Sequence, residues 1–198
     1  NTGQSNGTVG TDIRVTNVWD TYRGSNVYIA IIDDGLQVAH PDLALNCDTN
    51  IDYDINYSDN DPSPDIAGDD HGTSCGGVAA ARGNNGIGVS GSAPDAKLVG
   101  LRLISALATD SEEASALNWS NSIIHIKSNS WGPADDGDTL EGPGTLTTAA
   151  LSNTCTVGRG GKGSLIYWAG GNGGEVGTDD SNYDGYANSI YSIAISAV

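Results

Sequence analysis

I-I-D-D-G-L (residues 31–36) closes an apolar run, Val27 to Ile32, with two carboxylates at its C-terminal tip. A second string, H-G-T-S-C-G-G-V-A-A-A (71–81), opens a small-residue helix with a histidine. Working outward, apolar runs of strand length recur at 97–104, 123–127, 164–169 and 190–198. Helix-like stretches lie between several of them, at 72–81, 111–119 and 144–155, and Ser111 followed by Glu112, Glu113 and Ala114 reads as a helix start. This alternation predicts a parallel sheet covered by helices on both faces. Residues 46–70, rich in aspartate and carrying Pro62 and Pro64, read as a solvated loop. No repeat or linker divides the 198 residues, so one domain with a real core is expected.

With no Phe and no Met, that core must be Val, Ile and Leu with Trp and Tyr. The net charge is −17, from 25 acids against 8 bases. Such a surface argues against nucleic acid and anionic membrane as partners and for cationic ligands. No apolar stretch is long enough to span a bilayer. The tract from Asn1 is polar, as after removal of a leader or after trimming of a longer chain, and an extracytoplasmic or secreted location is expected. Three cysteines, Cys47, Cys75 and Cys155, allow at most one internal disulfide. Cys75, in an apolar helix beside His71, reads as a buried free thiol rather than a nucleophile.

In an open α/β sheet the site lies beyond the C-terminal ends of the strands, where Asp33 sits. Alone, Asp33 reads as a turn former or helix cap, and His71 as a structural histidine. Together they are two thirds of a Ser-His-Asp device. A third string, A-G-G-N-G-G (169–174), places the amide of Asn172 after another apolar run.

Six strings then carry a resemblance: D-D-G-L-Q-V-A-H-P-D-L (33–43), H-G-T-S-C-G-G-V-A-A-A (71–81), N-N-G-I-G-V (84–89), S-N-S-W-G-P-A-D-D-G (128–137), W-A-G-G-N-G-G (168–174) and Y-D-G-Y-A-N-S-I-Y (183–191). In this order they resemble the subtilisin-like serine endopeptidases and, within them, the kexin/furin-type proprotein convertases. The resemblance implies a three-layer α/β fold with a mostly parallel central sheet, incomplete at both ends. It implies a calcium-dependent endopeptidase that cuts after basic, preferably paired, residues. Asp33 would orient and stabilise the imidazolium of His71, which acts as general base and then acid. Asn172 would donate to the oxyanion. The serine would follow beyond Val198 in a G-T-S string. The string Gly72-Thr73-Ser74 lies on the histidine's own helix, where Ser74 cannot be presented to it. The piece alone is expected to be inactive.

By the same resemblance, Asp135 and Asp184, with the carbonyl of Ala169, would form the pocket for the Arg or Lys before the scissile bond. Asp34, with help from Asp69, would contact the next residue upstream. Glu113, Glu141 and Tyr186 would receive the fourth residue before the bond, and Ser130, Trp131 and Gly132 would pair with the extended substrate as an added strand. Asp42, the Asn85 side chain and the carbonyls of Arg82, Ile87 and Val89 would form a first calcium site, one ligand of which lies upstream of Asn1. Asp135 and Asp179 would belong to a second, and Asp54 and Asp61 to a third whose remaining family carboxylate falls at Ser63. Basic peptides, a pro-segment and a C-terminal domain are the implied partners. Ser74, Val78 and Asp70 depart from the family pattern, as do Gly88 and Ser181 where cysteines are usual; this suggests a bacterial, disulfide-poor member. The rival readings are a non-catalytic relative that binds basic peptides or calcium, and a generic acidic calcium-binding domain.

Overall fold

The computed structural model describes residues 7–134, 136–173 and 180–196. Its centre is β1 (Tyr28–Asp33), whose side chains alternate between two cores. Ile29 and Ile31 join one, Ala30 and Ile32 the other. That period of two, with both faces apolar, is what a strand buried between two helical layers requires.

The elements that follow are β2 (Tyr53–Asp54), α1 (His71–Ala80), β3 (Lys97–Arg102), α2 (Asp110–Asn118), β4 (Ile126–Asn129), α3 (Thr145–Thr156), β5 (Leu165–Ala169) and β6 (Ile193–Ile195). The strands form one six-stranded sheet in the order β2-β3-β1-β4-β5-β6. Every pairing is parallel, with Tyr28 opposite Lys97 and Ile29 opposite Ile126. One layer is α1, packed on β1 and β3 over Ile29, Ile31, Leu36 and Leu98. The other is the α2–α3 pair, packed over Ile32, Val99, Leu117, Leu151, Ile166 and Trp168. The fold is therefore a three-layer α/β sandwich with a parallel central sheet.

Two expectations change. Ile123 and Ile124 lie in the turn after α2, and β4 starts three residues later, at Ile126, because the apolar run also feeds the core beneath α2. The 46–70 segment is not simply a solvated loop. Asp52 and Asp54 are buried, and Tyr53–Asp54 adds a strand beside β3. The reason is Arg102, fully buried at the end of β3. Its guanidinium bonds Asp54 at 2.9 Å, Asp65, Asp69 at 3.2 Å, and the carbonyl of Asp34 at 3.1 Å. A buried guanidinium is tolerated only with such partners, and the acid-rich segment supplies them.

The α1 face of the sheet is covered unevenly. Over β1 and β3 it is sealed by α1. Over β5 and β6, Leu165, Ile193 and Ile195 remain exposed.

Candidate active site

Asp33 ends β1 and is 1% exposed. His71 begins α1, and its Nδ1 lies 2.9 Å from Asp33 Oδ1. Asp34 fixes this geometry. Its Oδ2 accepts from the backbone N–H of His71 at 3.1 Å and its Oδ1 from that of Gly72 at 2.7 Å. Both donors belong to the unsatisfied first turn of a helix, where a carboxylate also meets the positive end of the dipole. The helix start is thus bolted to the strand tip. Gly72 makes the approach possible: a Cβ there would fall 2.3 Å from the Gly35 carbonyl oxygen and 2.7 Å from Asp33 Cβ.

Burial pushes the Asp33 carboxyl above the usual range, against the pull of its hydrogen bonds to His71 and to Asp34 N–H. The hydrogen bond to Asp33 raises His71, with the surrounding carboxylates adding to it. Oδ2 of Asp33 is buried without a partner. Cys75 lies one turn along α1, its Sγ 3.9 Å from His71 Nδ1 and 3.6 Å from Ser130 Oγ. Burial raises its thiol, so it stays protonated and poorly nucleophilic. Ser74 instead donates to the carbonyl of Asp70.

The segment after β4 runs beside this pair. Trp131 donates from its indole to the carbonyl of Ile32 at 3.0 Å, and Trp168 donates to the carbonyl of Trp131 at 2.6 Å. The rings of Trp131, Trp168 and Tyr186 pack with centroids 4.7–5.5 Å apart. Residues 131–132 are therefore held as a wall between two cavities. The first, about 280 Å3, is lined by Ser130, Trp131, Gly132, Ala169, Asn172 and Asp184 together with Asp136 and Asp180. The second, about 660 Å3, lies on the other side of Trp131–Pro133 and holds Glu113, Glu141 and Tyr186. The Tyr186 hydroxyl donates to Glu113 Oε2 at 2.9 Å, and burial raises the Glu113 carboxyl. Glu141 and Asp184 meet in an isolated parallel bridge.

The structure thus brings together Asp33, Asp34 and His71; places Ser130, Trp131, Gly132, Ala169, Asn172 and Asp184 around one cavity; and places Glu113, Glu141 and Tyr186 around another. Asp135 and Asp179 lie outside the described residues. Asp69 sits with Arg102 and accepts from Ser105. Asp42 accepts from Asn85 Nδ2 at 2.6 Å and Val89 N–H at 2.7 Å, and its carbonyl accepts from Arg82 N–H at 2.8 Å. The Asn85 oxygen accepts from Ile87 N–H at 3.3 Å. Asp54 faces Arg102 and Tyr57 N–H, while Asp61 accepts from Ser63 N–H. Among the described residues Asp54 and Asp61 belong to no group of three such side chains close enough together to hold one ion. Reading the sequence overlooked Arg102 and the capping role of Asp34. An arginine ending an apolar strand beside an aspartate-rich segment was the available signal for the first.

Solved structures share this architecture. A serine protease of Aeromonas sobria superposes with a TM-score of 0.72 at 25% identity, over 87% of this chain and 32% of that one. Sphericase gives 0.67 at 25% identity, over 91% and 58%. By sequence the chain is 48% identical to Furin-like protease 2 of Drosophila melanogaster (95% of this chain, 11% of the relative). It is 46% identical to the dibasic-processing endoprotease of Schizosaccharomyces pombe (96% and 26%), and 43% identical to human neuroendocrine convertase 2 (100% and 31%). The chain thus spans less than a third of the length of these curated relatives. The profile of the Subtilase family, the S8 peptidases, matches residues 24–198, and the chain belongs to that family.

Proposed function

We propose that this chain is the Asp- and His-bearing part of a secreted, calcium-dependent serine endopeptidase of the subtilisin/kexin type, cutting after basic and preferably paired basic residues. The observation that carries the reading is the Asp33–His71 pair. A buried carboxylate faces Nδ1 at 2.9 Å; in the neutral imidazole this keeps the proton on Nδ1 and leaves Nε2 free to act as the base. His71 takes the proton of a serine hydroxyl supplied by a segment beyond this sequence and returns it to the leaving amine. Asp33 remains ionised and stabilises the imidazolium. Asn172 donates its amide to the oxyanion, a contact worth about 3–4 kcal/mol in the transition state.

Charge supports the substrate class. The cavity beside Asn172 carries Asp136, Asp180 and Asp184; Asp135, outside the described residues, would serve the same pocket by family resemblance. A desolvated carboxylate recognises guanidinium or ammonium by charge-assisted hydrogen bonds. Ser130–Gly132 offers the backbone edge on which an extended peptide adds as a strand. Asp34, tied to α1, contacts the residue upstream of the cut through its remaining lone pairs, with Asp69 nearby. Glu113, Glu141 and Tyr186 receive the fourth residue.

Calcium enters as a structural ion. The carboxylate of Asp42, the Asn85 amide and the carbonyls of Arg82, Ile87 and Val89 are the oxygen donors such a cation takes. Both Asp42 oxygens here accept from N–H groups, so the Asn85 amide must turn its oxygen inward to join them. Asp135 with Asp179 would hold a second ion. The ion pair with Arg102 weakens Asp54 and Asp61 as a third site. Bound calcium would offset the repulsion between these carboxylates and supply no chemistry to the cut. A pro-segment and a C-terminal domain would accompany this part in the whole protein.

The test is cleavage of a fluorogenic Arg-Lys-Arg peptide by the full-length protein, with calcium and with chelator. Turnover that chelator abolishes supports both the cleft and the ion. Tight binding without turnover would replace the enzyme by a non-catalytic basic-peptide receptor, and the absence of both turnover and binding would overturn the proposal.

A further inference from the structure

Glu113 is held by more than Tyr186. The hydroxyl of Thr147, on α3, lies 3.1 Å from the same Oε2. Thr147 is fully buried and does not line the cavity. Its position is set from the neighbouring helix. Asp110 Oδ2 accepts from Leu146 N–H at 3.0 Å and Asp110 Oδ1 from Thr147 N–H at 2.8 Å, which caps α3 and fixes the Thr147 backbone. The Thr147 hydroxyl is also 3.1 Å from the carbonyl of Asp110.

We infer that Thr147 is a positioning residue for the subsite built on Glu113: together with the Tyr186 hydroxyl it pins Oε2 inward, so that the carboxylate meets the cavity in one orientation and charge state. This rests on the assignment of Glu113 to the fourth residue before the scissile bond.

The chemistry is one of proton bookkeeping. A hydroxyl has a single proton and two acceptor lone pairs. When Glu113 is ionised, Thr147 gives that proton to Oε2, beside the one from Tyr186, and the doubly held carboxylate is a rigid acceptor for a cationic side chain. When Glu113 is protonated, its own O–H turns to the Thr147 oxygen, and Thr147 donates to the Asp110 carbonyl. The network stays satisfied, but the negative charge facing the cavity is gone. The other groups around Glu113 are Asp110 on its own helix, Asp184 beside Tyr186, and Glu141 on the cavity wall; all are acidic, and Asp110 favours the protonated form. Burial favours it too, and the two hydroxyl donors oppose it. Removing a donor must therefore move the titration of Glu113 upward.

The experiment uses the full-length protein and two peptides that differ only at the fourth residue before the cut, Arg or norleucine. The wild type should prefer the Arg peptide by about tenfold in kcat/KM at pH 8, mainly through KM, and lose that preference as pH falls. Thr147→Val should cut the preference at least threefold, move its midpoint to higher pH, and leave kcat on the norleucine peptide unchanged. Thr147→Ser should restore both. Equal losses on the two peptides, or an unmoved midpoint, would make Thr147 merely structural and overturn the inference. Should Thr147→Val fail to fold, Tyr186→Phe, which removes the other donor, must shift the midpoint the same way or the inference falls. A wild type that cuts both peptides equally defeats the inference alone; one that cuts neither defeats the proposed function and the inference with it.

Discussion

Two clusters of aspartates flank the C-terminal ends of the central strands, and they use their charge in opposite ways. At the tip of β1, Asp33 and Asp34 spend theirs on α1: one on the imidazole of His71, the other on two backbone N–H groups. At the β2–β3 edge, Asp54, Asp65 and Asp69 spend theirs on Arg102, a buried cation with no access to a ligand. The first cluster fixes a group that can still exchange a proton with a substrate. The second surrounds a buried cation and holds the edge strand to the sheet. A count of acids does not separate the two; the identity of the partner does.

The comparison breaks most visibly at Asp33. In the full-length protein Asp33→Asn keeps the shape but reverses the hydrogen-bond demand on Nδ1, selecting the wrong tautomer. Activity should fall by about 10⁴. The hydrogen bond that raises His71 is lost as well, so its pKa, followed by NMR, should drop. An unchanged titration would detach Asp33 from the histidine. The corresponding cut on the other side, Arg102→Met, should leave the fold itself in doubt. It strands the buried Asp54 carboxylate and costs about 3–5 kcal/mol, read as a lower denaturation midpoint. If Arg102→Met left the midpoint unchanged while abolishing peptide binding, Arg102 would belong to the cleft.

The legibility of the chain follows the same division. β1 and α1 could be read because each is a long apolar or small-residue run ending in a polar punctuation mark, and the D-D-G and H-G-T strings put their chemistry at fixed places on the elements. The helix start read at Ser111 falls two residues past the true cap of α2, Thr109. Thr109 and Glu112 form a capping box in the structure, and the T-x-x-E spacing signals one. β2 was not legible: two residues carry no period, and its place in the sheet depends on a pairing with Arg102 nearly fifty residues away. Lys127 shows the same limit. It stands within the run that suggested β4, yet its buried ammonium donates to the carbonyls of Leu117 and Trp119 and to Asn121 Oδ1. Of the site, Asp33 and His71, whose side chains the structure brings together, were readable as strings. The Thr147–Glu113 contact was not, since it joins two helices through tertiary packing alone.

Asp52 marks the least favourable point of the edge cluster and gives the smallest test. It is 2% exposed; Oδ1 accepts from Gly100 N–H at 2.7 Å, and Oδ2 has no partner. Burial, with Asp48 and Asp61 adding to it, pushes its carboxyl up to about 7. The folded state thus holds the Asp52 proton more tightly than the unfolded chain does. Below the unfolded value of 3.8 both states are protonated and the carboxyl costs nothing through ionisation. As pH rises from there through 7, stability is lost, and the full cost is present above 7. Asp52→Asn retains an oxygen for Gly100 and cannot ionise. It should therefore raise the melting temperature at pH 8 by several degrees, for a gain of about 1–3 kcal/mol, and change it little near pH 4. A gain that is the same at both pH values would assign the effect to packing. A loss at pH 8 would mean that the Asp52 carboxylate is compensated by a cation, and would place this aspartate with Asp33 and Asp34 among those whose charge is used.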